Sequence, residues 1–236
     1  MTDQLYSTDA YRRECEARVT AVTDDGVVLD RTVFYPGGGG QPCDTGVLAR
    51  GEQEIEVSRV SGRGGDIVHY VPAGSLAVGD EVACRIDWDT RYRLMRTHTA
   101  LHILCGVVFR DYGALVTGGN MTPLKGRMDF EFESMSAELT QEIERSVNAE
   151  VAEDRPIEID ILPREEAFQI PDLIRTKINL LPESITRVRT VNIKGLDLQA
   201  DGGTHVAATG QVGAIRVVGH ESKGRINKRI RIELDE

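Results

Sequence analysis

No stretch of the chain approaches the roughly 20 consecutive apolar residues that a membrane-spanning helix requires. The opening Met1-Thr2-Asp3-Gln4 has neither the basic nor the apolar segment of a signal peptide. The expectation is a soluble, cytoplasmic protein with no membrane partner. Cysteine is sparse and scattered: Cys15, Cys43, Cys84 and Cys105 form no C-x-x-C pair. That argues against a disulfide framework and against a zinc ribbon, and leaves reduced thiols. Positive charge is also in deficit. With a formal net charge of -10, the chain is not built to wrap a polyanion indiscriminately, because phosphate contacts are made by Lys and Arg. A nucleic acid would have to meet a local patch. One candidate is His220 to Ile232, where Lys223, Arg225, Lys228, Arg229 and Arg231 are interrupted by a single acid, Glu221; the alternative is a solvated strand with a charged outer face. Repeats and low-complexity tracts are missing as well.

What remains is 236 residues, 40% apolar and with 24 glycines, enough for two modest cores. The patterning predicts a division into residues 1–88 and 89–236. In the first part, short strands at 18–22, 26–29, 54–60, 67–71 and 81–86 alternate with turn signals such as Asp24-Asp25-Gly26 and Gly79-Asp80, which predicts a small β-barrel. The second part opens with Asp87-Trp88-Asp89-Thr90, a helix start, followed by a helix over 91–110. On a 3.6-residue period Leu94, His98, Leu101, His102, Cys105 and Val108 share a face. A strand at 127–132, a helix over 137–154 ended by Pro156, a strand at 157–162, a short helix at 164–168 and strands at 186–193, 196–200, 212–219 and 226–234 complete the pattern. The fold class is α+β, with a mainly antiparallel sheet packed with helices.

Four stretches carry chemistry. His98-Thr99-Ala100-Leu101-His102 places two imidazoles one helical turn apart, able to share one tetrahedral cation or to form a hydrogen-bonded core pair. No Glu follows His98, so this is not the H-E-x-x-H protease signature. Asp201-Gly202-Gly203-Thr204-His205 supplies a third histidine beside two glycines that let backbone approach a ligand. Three neutral imidazoles with one open position form a recognised catalytic zinc arrangement. The run Phe34 to Pro42 contains Gly37, Gly38, Gly39, Gly40 and Gln41; its amides could meet phosphate or ribose, or it is a flexible hairpin tip. Its ending is not that of a Walker loop. Val116 to Pro123 reads as a small polar loop whose Thr117 and Thr122 hydroxyls could bind a small polar group, or as plain turn chemistry.

Together these stretches resemble the freestanding alanyl-tRNA editing proteins, the AlaX family, whose catalytic part is similar to the editing domain of alanyl-tRNA synthetase. Arg96 to His102 matches the family's H-x-x-x-H helix. Leu198 to Val206 matches its C-x-x-x-H segment except at the first ligand, where Asp201 replaces Cys; Phe34 to Pro42, with Asp44 and Gly46, matches the glycine motif of the longer members. The resemblance implies Zn²⁺ held by His98, His102 and His205, and a mischarged alanine tRNA as partner. It also implies a trans-editing activity that hydrolyses its seryl, and often glycyl, ester. By spacing it puts Thr117 near the residue that reads the serine hydroxyl, with Thr122 as second candidate, and assigns Gly38, Gly39, Gly40, Gln41, Gly202 and Gly203 to substrate binding.

Asp201 is then either a fourth ligand or a proton acceptor standing just outside the ligand set. A carboxylate oxygen binds zinc at nearly the imidazole distance, but exchanging soft sulfur for hard oxygen weakens the preference for zinc over other divalent ions. Two other functions remain open from the residues: a zinc-dependent hydrolase of another small ester or amide, and a non-catalytic, zinc-stabilised tRNA-binding module.

Overall fold

A computed structural model of the chain describes residues 1–175 and 185–236. It divides into two compact units, Met1–Tyr92 and Arg93–Glu236.

The first unit holds nine strands: β1 (Asp3–Gln4), β2 (Glu14–Val22), β3 (Val27–Leu29), β4 (Arg31–Thr32), β5 (Gly46–Arg50), β6 (Gln53–Val57), β7 (Arg59–Arg63), β8 (Asp66–Tyr70) and β9 (Glu81–Ile86). Seven of them form one antiparallel sheet in the order β6-β5-β9-β2-β3-β8-β7, and β1 pairs with β4 in parallel. The end strands β6 and β7 are consecutive in the chain yet are not hydrogen-bonded neighbours, so the barrel expected from the strand spacing is a curled sheet left open there. The single strand expected over 54–60 is broken in two at Ser58, whose amide bonds instead to Tyr70 O. Alternation in β2 turns Cys15, Ala17 and Val19 inward, where they meet Leu29, Phe34, Leu48, Val57, Ile67 and Val82.

A buried ion pair lies in this core. The Arg91 side chain is 0% and the Asp44 side chain 1% exposed. Arg91 Nε donates to both carboxylate oxygens at 2.9 and 3.1 Å, while Nη1 and Nη2 reach Ala10 O and Val33 O at 3.0 and 2.7 Å. Nη2 also donates to Asp44 Oδ2, so each guanidinium nitrogen has an acceptor, which offsets much of the cost of burying the charge.

Helix α1 (Trp88–Tyr112) begins where the sequence signals it. Asp87 accepts from the Thr90 amide at 3.2 Å and its hydroxyl at 2.7 Å, a side-chain cap on the first turn. From Thr97 to Val108 every residue is buried. The helix is therefore enclosed on all sides, and the one-faced stripe expected from the period describes only part of its surroundings.

The second unit surrounds that segment with strands β10 (Val116–Thr122), β11 (Lys125–Glu131), β12 (Ile157–Pro163), β13 (Arg187–Ile193), β14 (Asp197–Ala200), β15 (Ile215–Ser222) and β16 (Asn227–Leu234), and with helices α2 (Ala137–Ala152) and α3 (Arg164–Ala167). The strands form two antiparallel sheets, β10-β11-β16-β15 and β12-β13-β14, where the pattern predicted one. Residues 116–122, expected as a loop, are a strand registered on β11 from Val116↔Phe130 to Thr122↔Lys125. Glycine-rich text concealed it, since Gly118 and Gly119 weaken strand propensity. Leu101 packs against Gly126 of β11, and Gly106 lies against Leu196 and Asp197 at the start of β14. Among the described residues no helix is long and apolar enough to cross a membrane.

Candidate metal centre

Two secondary-structure elements bring the histidines together. Helical spacing stacks His98 and His102 on one side of α1, with ring centroids 5.0 Å apart. The segment after β14 returns His205 to the same place, 4.2 Å from His98 and 4.7 Å from His102. All three are buried. One ligand atom from each, with a carboxylate oxygen of Asp201, lies within 4.8 Å of the others.

Each ring is backed by an oxygen on its outer side. His205 Nδ1 faces Thr99 Oγ1 at 3.1 Å, the His98 ring bonds to the backbone carbonyl of Thr204, and His102 Nδ1 stands 3.4 Å from Asp197 Oδ2. Asp201 is fastened by its own loop: its Oδ2 accepts from Gly203 N at 2.7 Å and contacts His205 Nε2 at 3.0 Å. Its Oδ1 lies 3.6 Å from His98 Nε2. Arg189 brackets this loop, donating to Asp201 O at 2.9 Å and accepting Asp201 N through its own carbonyl at 3.1 Å.

The electrostatics suit a cation. Burial holds His98 down to about 4, overriding the pull of the Asp201 carboxylate. Burial and the neighbouring His98 likewise hold His205 well below its ordinary range. Both rings are neutral at pH 7, with lone pairs to offer. Burial opposes charge on His102 too, but the carboxylates of Asp197 and Asp201 outweigh it and raise the group. Burial would push Asp201 up, yet the three imidazoles draw it well below the usual carboxylate range, so it is anionic. Three imidazoles and one carboxylate, all turned inward and buried, fit a divalent ion with nitrogen and oxygen preference.

The other residues singled out from the sequence are placed differently. Thr117 is an exposed residue on β10 whose hydroxyl donates to Asn227 Oδ1 at 2.8 Å, and Thr122 ends the same strand, also exposed. Gly202 is open, with nothing near the position a Cβ would take, while the Gly203 amide is engaged by Asp201. Gly38, Gly39, Gly40 and Gln41 belong to the first unit. Gly38 and Gln41 exchange backbone hydrogen bonds at 3.1 and 2.9 Å around Gly39 and Gly40, whose φ of 58° and 91° are those of a tight hairpin turn that glycine favours. Gln41 is buried. Cys105, one turn past His102, is outside the cluster; burial raises its thiol and it meets Gln199. The basic C-terminal run is partly paired: Lys223, Arg229 and Arg231 converge on Glu221, and Arg229 also pairs with Asp129. Lys228 Nζ donates to the carbonyls of Gly224 and Arg225.

Comparison with known proteins places the chain in a family. Residues 7–90 match the family of class II (A) tRNA synthetases, and residues 188–231 match the second additional domain of threonyl and alanyl tRNA synthetases. Over 233 residues, 98% of each chain, this protein is 42% identical to the alanyl-tRNA editing protein AlaX-M of Saccharolobus solfataricus. The chain belongs to the AlaX-M family. A second AlaX-M, from Methanosarcina acetivorans, is 41% identical over 98% of each chain. The alanine–tRNA ligase of Pyrococcus abyssi is 42% identical over 221 residues, 92% of this chain but 24% of the ligase. This AlaX-M chain thus corresponds to a segment of the larger enzyme. Within it, Asp197, Thr99, Thr204 and Arg189 surround the histidines without having been legible as site residues. The local signals were Thr99, next to His98, and Thr204, next to His205.

Proposed function

We propose that this chain is a trans-editing hydrolase that cleaves the aminoacyl ester of mischarged alanine tRNA, seryl first and glycyl second, in the cytoplasm where that tRNA is used. The reading is carried by one observation: three buried imidazoles and Asp201 converge within 4.8 Å in a chain aligned along 98% of its length with alanyl-tRNA editing proteins. His98, His102 and His205 would hold Zn²⁺, with Asp201 as the fourth protein group. The ion would supply positive charge to polarise the ester or anchor the substrate's amine.

The protein's own groups do the rest. Thr99, Thr204 and Asp197 set the orientation of the three rings, and Gly203 and Arg189 set that of Asp201. Asp201, anionic and already in contact with His205 Nε2, is placed either to ligate or to accept a proton from the attacking water. Discrimination against correctly charged tRNA requires a group that bonds the serine hydroxyl and loses its partner when alanine enters; Thr117 and Thr122 are the candidates. Gly202 and Gly203 would approach the aminoacylated tRNA end, and the glycine hairpin with Gln41 would offer backbone to substrate within the first unit.

The test is a deacylation panel of seryl-, glycyl- and alanyl-tRNA with metal analysis on the same sample. Release of serine with alanine retained is expected, and His98→Ala should abolish both metal content and turnover. Full turnover by that variant would overturn the reading, and binding without turnover would instead favour a non-catalytic tRNA-binding module.

A further inference from the structure

We infer that Asp197 is a positioning residue that fixes the tautomer and direction of His102, so that this ring is the one ligand backed by a carboxylate. The inference rests on the metal reading above. His102 Nδ1 is fully buried and makes no hydrogen bond of ordinary geometry; Asp197 Oδ2 stands 3.4 Å from it. The Asp197 side chain is itself 0% exposed and is held from two sides. Arg175 Nε meets Oδ1 at 3.3 Å, and Gln199 Nε2 donates to Oδ2 at 2.5 Å.

A buried carboxylate facing a buried imidazole nitrogen selects the tautomer with the proton on Nδ1, since the reverse sets two lone pairs against each other. That leaves the Nε2 lone pair for an ion. A carboxylate acceptor also increases the donor strength of the ring, the arrangement that commonly supports a metal-bound histidine. His205 and His98 are backed by a neutral hydroxyl and a carbonyl instead. The approach depends on Gly106, one turn after His102. A Cβ there would lie 3.0 Å from the Asp197 Cβ and 2.9 Å from Leu196 Cγ, so any side chain forces β14 outward and carries the carboxylate away from the ring.

The experiment titrates metal-stripped full chain with Zn²⁺ against a chromophoric chelator and reads the His102 tautomer by long-range ¹H–¹⁵N NMR. Wild type is expected to bind with the Nδ1–H form. Asp197→Ala should lose about 10- to 100-fold in Zn²⁺ affinity and mix the tautomers. Asp197→Asn, which keeps the shape and one acceptor oxygen, should lose severalfold while keeping the tautomer. Gly106→Ala should weaken binding with the carboxylate still present. Should Asp197→Ala fail to fold, the Asn and Gly106 variants decide: affinity within twofold of wild type in both overturns the assignment, as does wild-type behaviour of a folded Asp197→Ala. A wild-type chain that binds no Zn²⁺ at micromolar concentration overturns the metal reading itself, a distinct result.

Discussion

At position 201 a carboxylate does work that a thiolate could do only in part. Its Oδ2 closes a turn on the Gly203 amide and touches His205, while Oδ1 is turned toward His98. Sulfur would offer a softer donor and a poorer hydrogen-bond acceptor for that turn. Asp201→Cys is therefore expected to raise selectivity for Zn²⁺ over Mn²⁺ by an order of magnitude or more, measured by competitive metal binding; unchanged selectivity would show that residue 201 does not ligate. His69, in the first unit, supplies a pH dependence. Burial lowers it from 6.5 to about 4, and its ring faces Thr32 Oγ1 at 2.8 Å and the edge of Phe34. The unfolded chain takes the proton first, so stability is complete above about pH 6.5 and falls as pH drops from there toward 4. The loss is about 3 kcal/mol. Denaturant melts across that window should show it, and His69→Gln should flatten the slope. At this scale His98 and His102 could be paired from the sequence because their spacing is local, while His205 was singled out by its Gly-Gly neighbours and the family resemblance. Asp197 could not, because only the fold brings it to His102.

Elements were legible in proportion to how local their causes are. The start of α1 was marked by Asp87 and Thr90, which cap it as their types suggest, and β9 spans Glu81–Ile86 as alternation indicated. Sheet membership was not legible. Whether β12 to β14 join β15 and β16 depends on register between segments far apart in the chain, and the pairing of Lys125–Glu131 with Asn227–Glu233 leaves no local trace. The strand β10 shows the functional cost of that limit. As a loop, Thr117 would be free to adapt to a substrate; on β10 its hydroxyl is tied to Asn227 of β16. If it reads the serine hydroxyl, Thr117→Val should reduce kcat/KM for seryl-tRNA about tenfold, the effect of one hydrogen bond to a substrate group, with glycyl-tRNA scarcely affected. Equal losses on both esters in steady-state assays would remove Thr117 from recognition.

For the whole molecule, charge is the governing feature. The chain carries a net charge of -10, and three cations of the run near its C-terminus, Lys223, Arg229 and Arg231, are engaged by Glu221 and Asp129. The solvated-strand reading of that run is the one its contacts favour. Few phosphates can then be neutralised. The slope of log affinity for tRNA against log salt should be shallow, roughly -2 to -4 at about -0.9 per phosphate contact, by filter binding across a salt series; a slope near -8 would reveal a basic face that these pairings hide. The compact units divide between Tyr92 and Arg93, inside the helix that opens near Trp88. The self-fastened turn at Asp201 has a kinetic corollary. A loop whose shape is secured by its own amide would owe little of its conformation to an ion, so under the proposed metal reading loading and stripping would be ligand exchange in a ready-made cradle, with no refolding in between.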